Sequence, residues 1–161
     1  TVLNPSPWQT PTPSIEQHTH IMICNEIEAQ YLLALDDPLG NNIEAIQAKI
    51  QTLLPLFWQK WSDLQLLIIT LGALGCMAFQ RPKSSNVSGE LLYKPAKKIH
   101  AIDTVGAGDG FACGFCFAYI LNLPLDECLR WGNAFGAHLA SHTGVLNILP
   151  YSHQLNAILE N

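Results

Sequence analysis

Asp103–Phe115 reads DTVGAGDGFACGF: two acids around a run of small residues, followed at once by an apolar stretch of helical character. A helix starting near Gly106 leaves its first N–H groups without intrahelical partners. Its dipole adds partial positive charge at the same end. Gly106 and Gly108 carry no side chain to block an approaching anion, so Gly106–Asp109 predicts an anion hole suited to a phosphoryl group. A carboxylate there repels phosphate. Asp109 makes sense if it touches an attacking hydroxyl and takes its proton. The turn is not a P-loop, since no Gly-x-x-x-x-Gly-Lys-Ser/Thr occurs, and not a dinucleotide fingerprint, since Phe111 stands where the third glycine is needed. As four residues alone, it reads equally as an ordinary helix start with a first-turn acid and two close-packed glycines.

Upstream, KIHAID leads into the motif and ELLYKP predicts a strand. LQLLIITLG (Leu64–Gly72) is the strongest buried-strand signal, and GCMAFQ (Gly75–Gln80) predicts a second strand antiparallel to it. Arg81–Gly89 reads as a polar loop. HIMIC (His20–Cys24) is a short buried strand. NEIEAQYLLAL (Asn25–Leu35) opens on an N-cap residue with acids in its first turn and predicts a helix. DDPLGNN is a turn. Ile43 to about Trp61 has helical spacing that Pro55 is expected to kink or split. TVLNP reads as a strand running into a turn, then a Pro-rich loop, PSPWQTPTP. Downstream, helices are predicted at about Gly106–Leu121, Leu125–Ser141 and Ser152–Leu159. Strands mixed with helices, then helices alone, predict an α/β layered domain with a parallel sheet and an antiparallel edge.

The 161 residues suffice for one domain with a real core. Hydrophobic residues make up 48% and charged residues 13%, a globular composition whose low charge implies apolar surface covered by a partner or by further chain. The net charge of −5 and the scattering of the eight Lys and Arg residues give no support to nucleic-acid binding. Cys24, Cys76, Cys113, Cys116 and Cys128 are odd in number and irregular in spacing, which argues against a disulfide framework and for a reducing, cytoplasmic setting. No apolar run approaches the ~20 residues that span a membrane, and no signal-peptide pattern opens the chain. A chain whose first residue, Thr1, lies in a strand reads as a piece of something longer or a processed product.

DTVGAGDGF closely resembles the C-terminal signature of the PfkB (ribokinase-like) family of sugar and nucleoside kinases, and other pieces fall in that family's order. VLNPSP is similar to the ribokinase strand that ends in Asn-Pro-Ala-Pro. NEIEA matches an Asn-x-x-Glu motif at Asn25 and Glu28, and TLGALG (Thr70–Gly75) matches the nucleotide-binding Thr-Leu-Gly-x-x-Gly turn. GNAFGAHLASHTGVLNILP resembles the closing adenine and cation segment.

The resemblance implies a ribokinase-like three-layer α/β/α fold, with residues 1–161 as the nucleotide-binding and catalytic-base part of a single kinase domain. It implies an ATP-dependent kinase of a sugar hydroxyl, nearer ribokinase or fructokinase than adenosine kinase. Asp109 would be the base, and the N–H groups of Gly106, Ala107 and Gly108 would hold the transferring phosphoryl. Asn25 and Glu28 would lie near the phosphates and Mg²⁺, through water. Thr70, Gly72 and Gly75 would line the nucleotide, and Asn133 the adenine. Asp103 and the Val105 carbonyl would help hold K⁺, with the carbonyls of Leu139, His142 and Gly144 opposite. Leu74 stands where the family often has a basic or polar residue, and Ile148 where ribokinases can offer a serine to the cation. The family's N-terminal half, with its glycine-rich signature, its sugar-gripping residues and its β lid, has no counterpart in these residues. The implied partners are a sugar, ATP, and that missing half or a second copy of the chain. A truncated, non-catalytic homologue that binds nucleotide or a partner is the competing reading.

Other features read as ordinary packing. Cys113 and Cys116 lie at i, i+3 without a second pair, a poor zinc site, and are expected to be small core residues. His138 and His142 are spaced i, i+4 but lack a third ligand. Trp58 and Trp61 are expected to pack rather than stack on bases.

Overall fold

A computed structural model describes residues 1–83, 89–144, 150 and 154–160. It is an α/β structure with a mixed sheet of five strands in the order β1-β2-β3-β4-β5: β1 (Val2–Leu3), β2 (Ile21–Asn25), β3 (Leu66–Thr70), β4 (Cys76–Gln80) and β5 (Leu91–Lys94). In β2 and β3 the first four residues of each are buried in succession. Burial on both faces is the signature of an interior parallel strand. The register bears this out: β1 pairs parallel with β2 at Val2↔Ile21, and β2 with β3 from Ile21↔Leu66 to Asn25↔Thr70. The connection from β3 to β4 is too short for a crossover, so β4 runs antiparallel. Beyond the strand ends the Arg81 N–H donates to the Gln65 carbonyl at 2.8 Å. The expected antiparallel edge is therefore present.

The chain forms two compact units, one of residues Thr1–Leu71 with Met77–Tyr93, the other of Gly72–Cys76 with the chain from Lys94 onward. The first holds most of the sheet and three helices, α1 (Pro13–His18), α2 (Glu26–Leu32) and α3 (Ile43–Lys60). Helix α1 begins at Pro13, the last residue of the stretch expected to be a Pro-rich loop; Pro13 stands at its first turn, where a missing N–H costs nothing. Helix α3 runs through Pro55 as one element, so the expected split does not occur. Ile46 and Ile50 before the proline and Phe57 and Trp58 after it are all buried. At roughly 1.5–3 kcal/mol per large apolar side chain, that anchoring outweighs the ~3 kcal/mol of an internal proline. Arg81 closes the end of α3, its guanidinium donating to the carbonyls of Trp58 at 2.9 Å and of Trp61 at 3.0 Å. Trp58 and Trp61 are buried beside Phe57, in agreement with their reading as packing residues.

The second unit holds α4 (Ala107–Ile120), α5 (Leu125–Ala140) and α6 (Leu155–Glu160). Helices α4 and α5 lie close and antiparallel because glycines on both face the contact. A Cβ at Gly114 would come within 2.6 Å of the Trp131 carbonyl, one at Gly132 within 2.8 Å of the Phe111 ring, and one at Gly136 within 3.0 Å of the Ala107 carbonyl. Phe111 and Phe115 are buried on the same face. This contact fixes the α4 start against α5. Ile148 and the expected helix start at Ser152 lie outside the described residues.

Candidate active site

The candidate residues fall into two groups, one in each unit. In the first unit, Asn25 and Thr70 are register partners at the carboxyl ends of neighbouring parallel strands, where ligands of open α/β sheets bind. The Thr70 hydroxyl donates to the Cys24 carbonyl at 3.4 Å. Asn25 and Glu28 form a capping box: the Asn25 side chain accepts the Glu28 N–H at 2.8 Å, and the Glu28 carboxylate accepts the Asn25 N–H at 2.9 Å. Glu28 is 4% exposed. The pair thus carries the start of α2, a role their spacing also predicts.

In the second unit, Gly72–Leu74 forms a single 3₁₀ turn closed by the Gly75 N–H on the Gly72 carbonyl at 3.1 Å. The two glycines differ. Gly75 has φ +103° and a Cβ there would meet the Lys94 carbonyl at 2.1 Å, so packing requires it. A Cβ at Gly72 would meet nothing within 4 Å. The Asn133 side chain donates to the carbonyls of Lys94 at 3.1 Å and Pro95 at 3.2 Å, tying α5 to the segment that closes on Gly75. Beside it, burial pushes the Cys76 thiol up to about 12, against the lowering effect of its hydrogen bond with Asn133.

A cavity of about 510 Å³ opens in this unit, with Lys97, Lys98, Ala134, Ala137, His138 and His142 in its wall. The His138 and His142 rings lie 4.6 Å apart, and His142 Nδ1 is 2.7 Å from the His138 carbonyl. The lysines are the part of the cavity wall that the motifs did not point to; only the fold places Lys97 and Lys98 against α5.

Gly106 caps α4 in the left-handed region at φ 78°, without any side-chain cap. The Ala107 N–H donates to the Thr104 carbonyl at 3.1 Å, a partner the motif does not reveal. The N–H groups of Gly106, Gly108 and Asp109 have no partner among the described residues. Asp109 and Gly108 are exposed, and a Cβ at Gly108 would meet nothing within 4 Å. Nothing in the fold requires glycine at 108, and alanine would favour the helix by roughly 0.5–1 kcal/mol. The space in front of it is left open.

Asp103 is held beside the end of α5, where the N–H groups of Ile102 and Asp103 donate to the Ala140 carbonyl at 2.8 and 3.3 Å. Its carboxylate accepts the Val105 N–H at 3.0 Å. The structure thus brings Asp103 to the segment that contains Leu139, His142 and Gly144. The Leu139 carbonyl already accepts the N–H groups of Ser141 and His142. Among the described residues, no cluster of three or more His, Cys, Asp or Glu side chains could hold a metal. Of the two thiols expected in the core, Cys113 is exposed and Cys116 partly so. They lie on the side of α4 turned away from α5, which corrects that reading.

The sequence matches the pfkB family carbohydrate kinases over residues 1–151. The chain belongs to the PfkB family. It is 32% identical to the mouse ribokinase over 162 aligned positions, covering 96% of this chain and 45% of that one. It is 29% identical to the ribokinase of Haemophilus influenzae, over 99% of this chain and 47% of the other. The chain therefore spans about half the length of the curated relatives it matches. A ribokinase of Arabidopsis thaliana solved with ribose and ATP superposes with a TM-score of 0.78 at 20% identity, over 99% of this chain and 47% of that one. One from Cryptococcus neoformans solved with ADP gives 0.72 at 28%, over 99% and 50%. The fold is ribokinase-like. No described helix is long and apolar enough to cross a membrane.

Proposed function

We propose that this chain is the nucleotide- and phosphoryl-handling part of an ATP-dependent sugar kinase of the ribokinase or fructokinase kind. The observation that carries the reading is the start of α4: unpartnered N–H groups at Gly106, Gly108 and Asp109, an open space at Gly108, and an exposed carboxylate at Asp109. The N–H groups and the helix dipole hold the transferring phosphoryl. With the Ala107 N–H engaged by Thr104, the cradle is Gly106, Gly108 and Asp109. The Asp109 carboxylate takes the proton of the attacking sugar hydroxyl, and positioning supplies much of the rate. Ribokinases among the relatives and the ribose–ATP and ADP complexes among the structural neighbours support the substrate class.

Thr70 and Gly72 line the nucleotide, with the cavity beside Asn133 for the adenine. Mg²⁺ neutralises phosphate charge in such transfers; Asn25 and Glu28, occupied with each other, would reach it through water. For K⁺, the Asp103 carboxylate and the carbonyls of Val105, His142 and Gly144 are the available oxygens. Leu139 is the weakest candidate because its carbonyl is engaged. The sugar-gripping residues belong to the half of the relatives that this chain does not match. A coupled ADP-release assay and ATP calorimetry on the 161 residues test the proposal. It expects ATP binding without sugar-dependent turnover on ribose, fructose or adenosine. No ATP binding, or turnover near 1 s⁻¹, the low end for kinases, would contradict it.

A further inference from the structure

Lys94, the last residue of β5, is held at two points by one helix. Its Nζ lies 2.7 Å from each carboxylate oxygen of Asp126, in the first turn of α5. Its carbonyl accepts a hydrogen bond from the Asn133 side chain at 3.1 Å, and the Pro95 carbonyl accepts another from it at 3.2 Å. Asp126 and Asn133 are seven residues apart, so at about 100° per residue they lie on one side of α5. The Lys94 carbonyl has a second neighbour. It is the atom that a Cβ at Gly75 would meet at 2.1 Å, with the Ala96 nitrogen at 2.5 Å and the Pro95 carbonyl carbon at 2.7 Å. The backbone of residues 94–96 is therefore the wall against which Gly75 packs, and Asp126 and Asn133 fix that wall.

We infer that Asp126, Lys94 and Asn133 form a clasp that positions the Gly72–Gly75 turn, and that Asn133 acts through this turn and does not read the nucleotide base. A side-chain amide reads adenine by donating an N–H and accepting with its oxygen at the same time. The amide nitrogen has two N–H groups, and in Asn133 both are spent on the Lys94 and Pro95 carbonyls. The turn in its place has few anchors. Gly72 and Gly75 bring no side chain, and a Cβ at Gly72 would meet nothing within 4 Å. Its internal closure is the Gly75 N–H on the Gly72 carbonyl at 3.1 Å. A residue that never touches a ligand still weakens binding when its loss displaces one that does. The link to the nucleotide rests on the kinase reading above; the clasp itself does not.

The test follows two quantities in the 161-residue chain, hydrogen exchange of the Gly75 N–H and calorimetric ATP affinity. Gly75 is buried, so its exchange reports opening of the turn. N133A loses two hydrogen bonds and should speed that exchange roughly tenfold or more. D126A and K94M lose a pair whose side chains are 53% and 25% exposed, and each should speed it about three- to fivefold. These two change exposed or half-exposed groups and carry the test should N133A not fold. E127A, which removes the neighbouring carboxylate from Arg130, should leave exchange unchanged. ATP affinity should fall in the same order, with E127A at the parent value. Gly75 exchange unmoved in D126A and K94M would overturn the clasp. ATP affinity lowered by N133A alone would make Asn133 a reader of the base and overturn its positioning role. A parent chain that binds no ATP would overturn the kinase reading, and the exchange rates alone would then decide the clasp.

Discussion

At the start of α2, the Asn25 side chain accepts the Glu28 N–H and the Glu28 carboxylate accepts the Asn25 N–H. At the start of α4, Gly106 offers no side chain, and the N–H groups of Gly108 and Asp109 have no partner among the described residues. The two helix ends have the same unmet donors and the same dipole. The capped end gives up its anion-binding capacity for stability, at a gain of about 1 kcal/mol. The open end forgoes that gain and also keeps glycine where alanine would fit. What the fold leaves unsatisfied at α4 is what a phosphoryl group would satisfy.

The comparison can be broken most forcefully at Asp109. In a complete kinase containing this chain, D109N should lower kcat by roughly 10²- to 10⁴-fold with ATP affinity little changed. Turnover within about threefold of the parent would remove the base from the account. Next comes the other glycine turn. G75A must push a Cβ into the Lys94 carbonyl and should cost more than about 3 kcal/mol in urea unfolding. G72A, with open space around it, should cost only the ~1–2 kcal/mol of a left-handed alanine. Equal losses would mean that Gly72 is also held by packing.

At the capped end, N25A should cost about 1 kcal/mol, because it strips the Glu28 N–H of its acceptor. The smallest effect has the opposite sign. G108A should raise stability by roughly 0.5–1 kcal/mol while weakening transfer, since its methyl occupies the phosphoryl space. A destabilised G108A would show that the fold, and not a ligand, needs that glycine.

Much of this was legible in the sequence because local rules and tertiary packing agree. The buried runs in β2 and β3 read as parallel strands, and Asn25 with Glu28 reads as a helix start. Where they disagree, the sequence misled. Pro55 lies inside α3 because apolar anchors on both sides outweigh its cost. Helix α1 is only six residues long and carries no buried residue, so it leaves no apolar period in the sequence. Cys113 and Cys116 looked like core residues, since periodicity shows that a helix has an apolar face but not which of two apolar faces meets its neighbour. What decides this is glycine four apart at Gly110 and Gly114 and again at Gly132 and Gly136, the positions where the two helices meet. At the candidate site the motif located the turn, whereas the engagement of Ala107 by Thr104 and of the Leu139 carbonyl by its own helix end emerged only from the geometry.

The most direct test of the open helix start is an amide titration of the isotope-labelled chain with ATP, read residue by residue. The account predicts saturable shifts of the Gly108 and Asp109 N–H resonances, among the largest in the spectrum and lost in G108V. The Glu28 N–H, already held by Asn25, should move far less. ATP that binds without shifting Gly108 and Asp109, or that shifts Glu28 more than either, would contradict it.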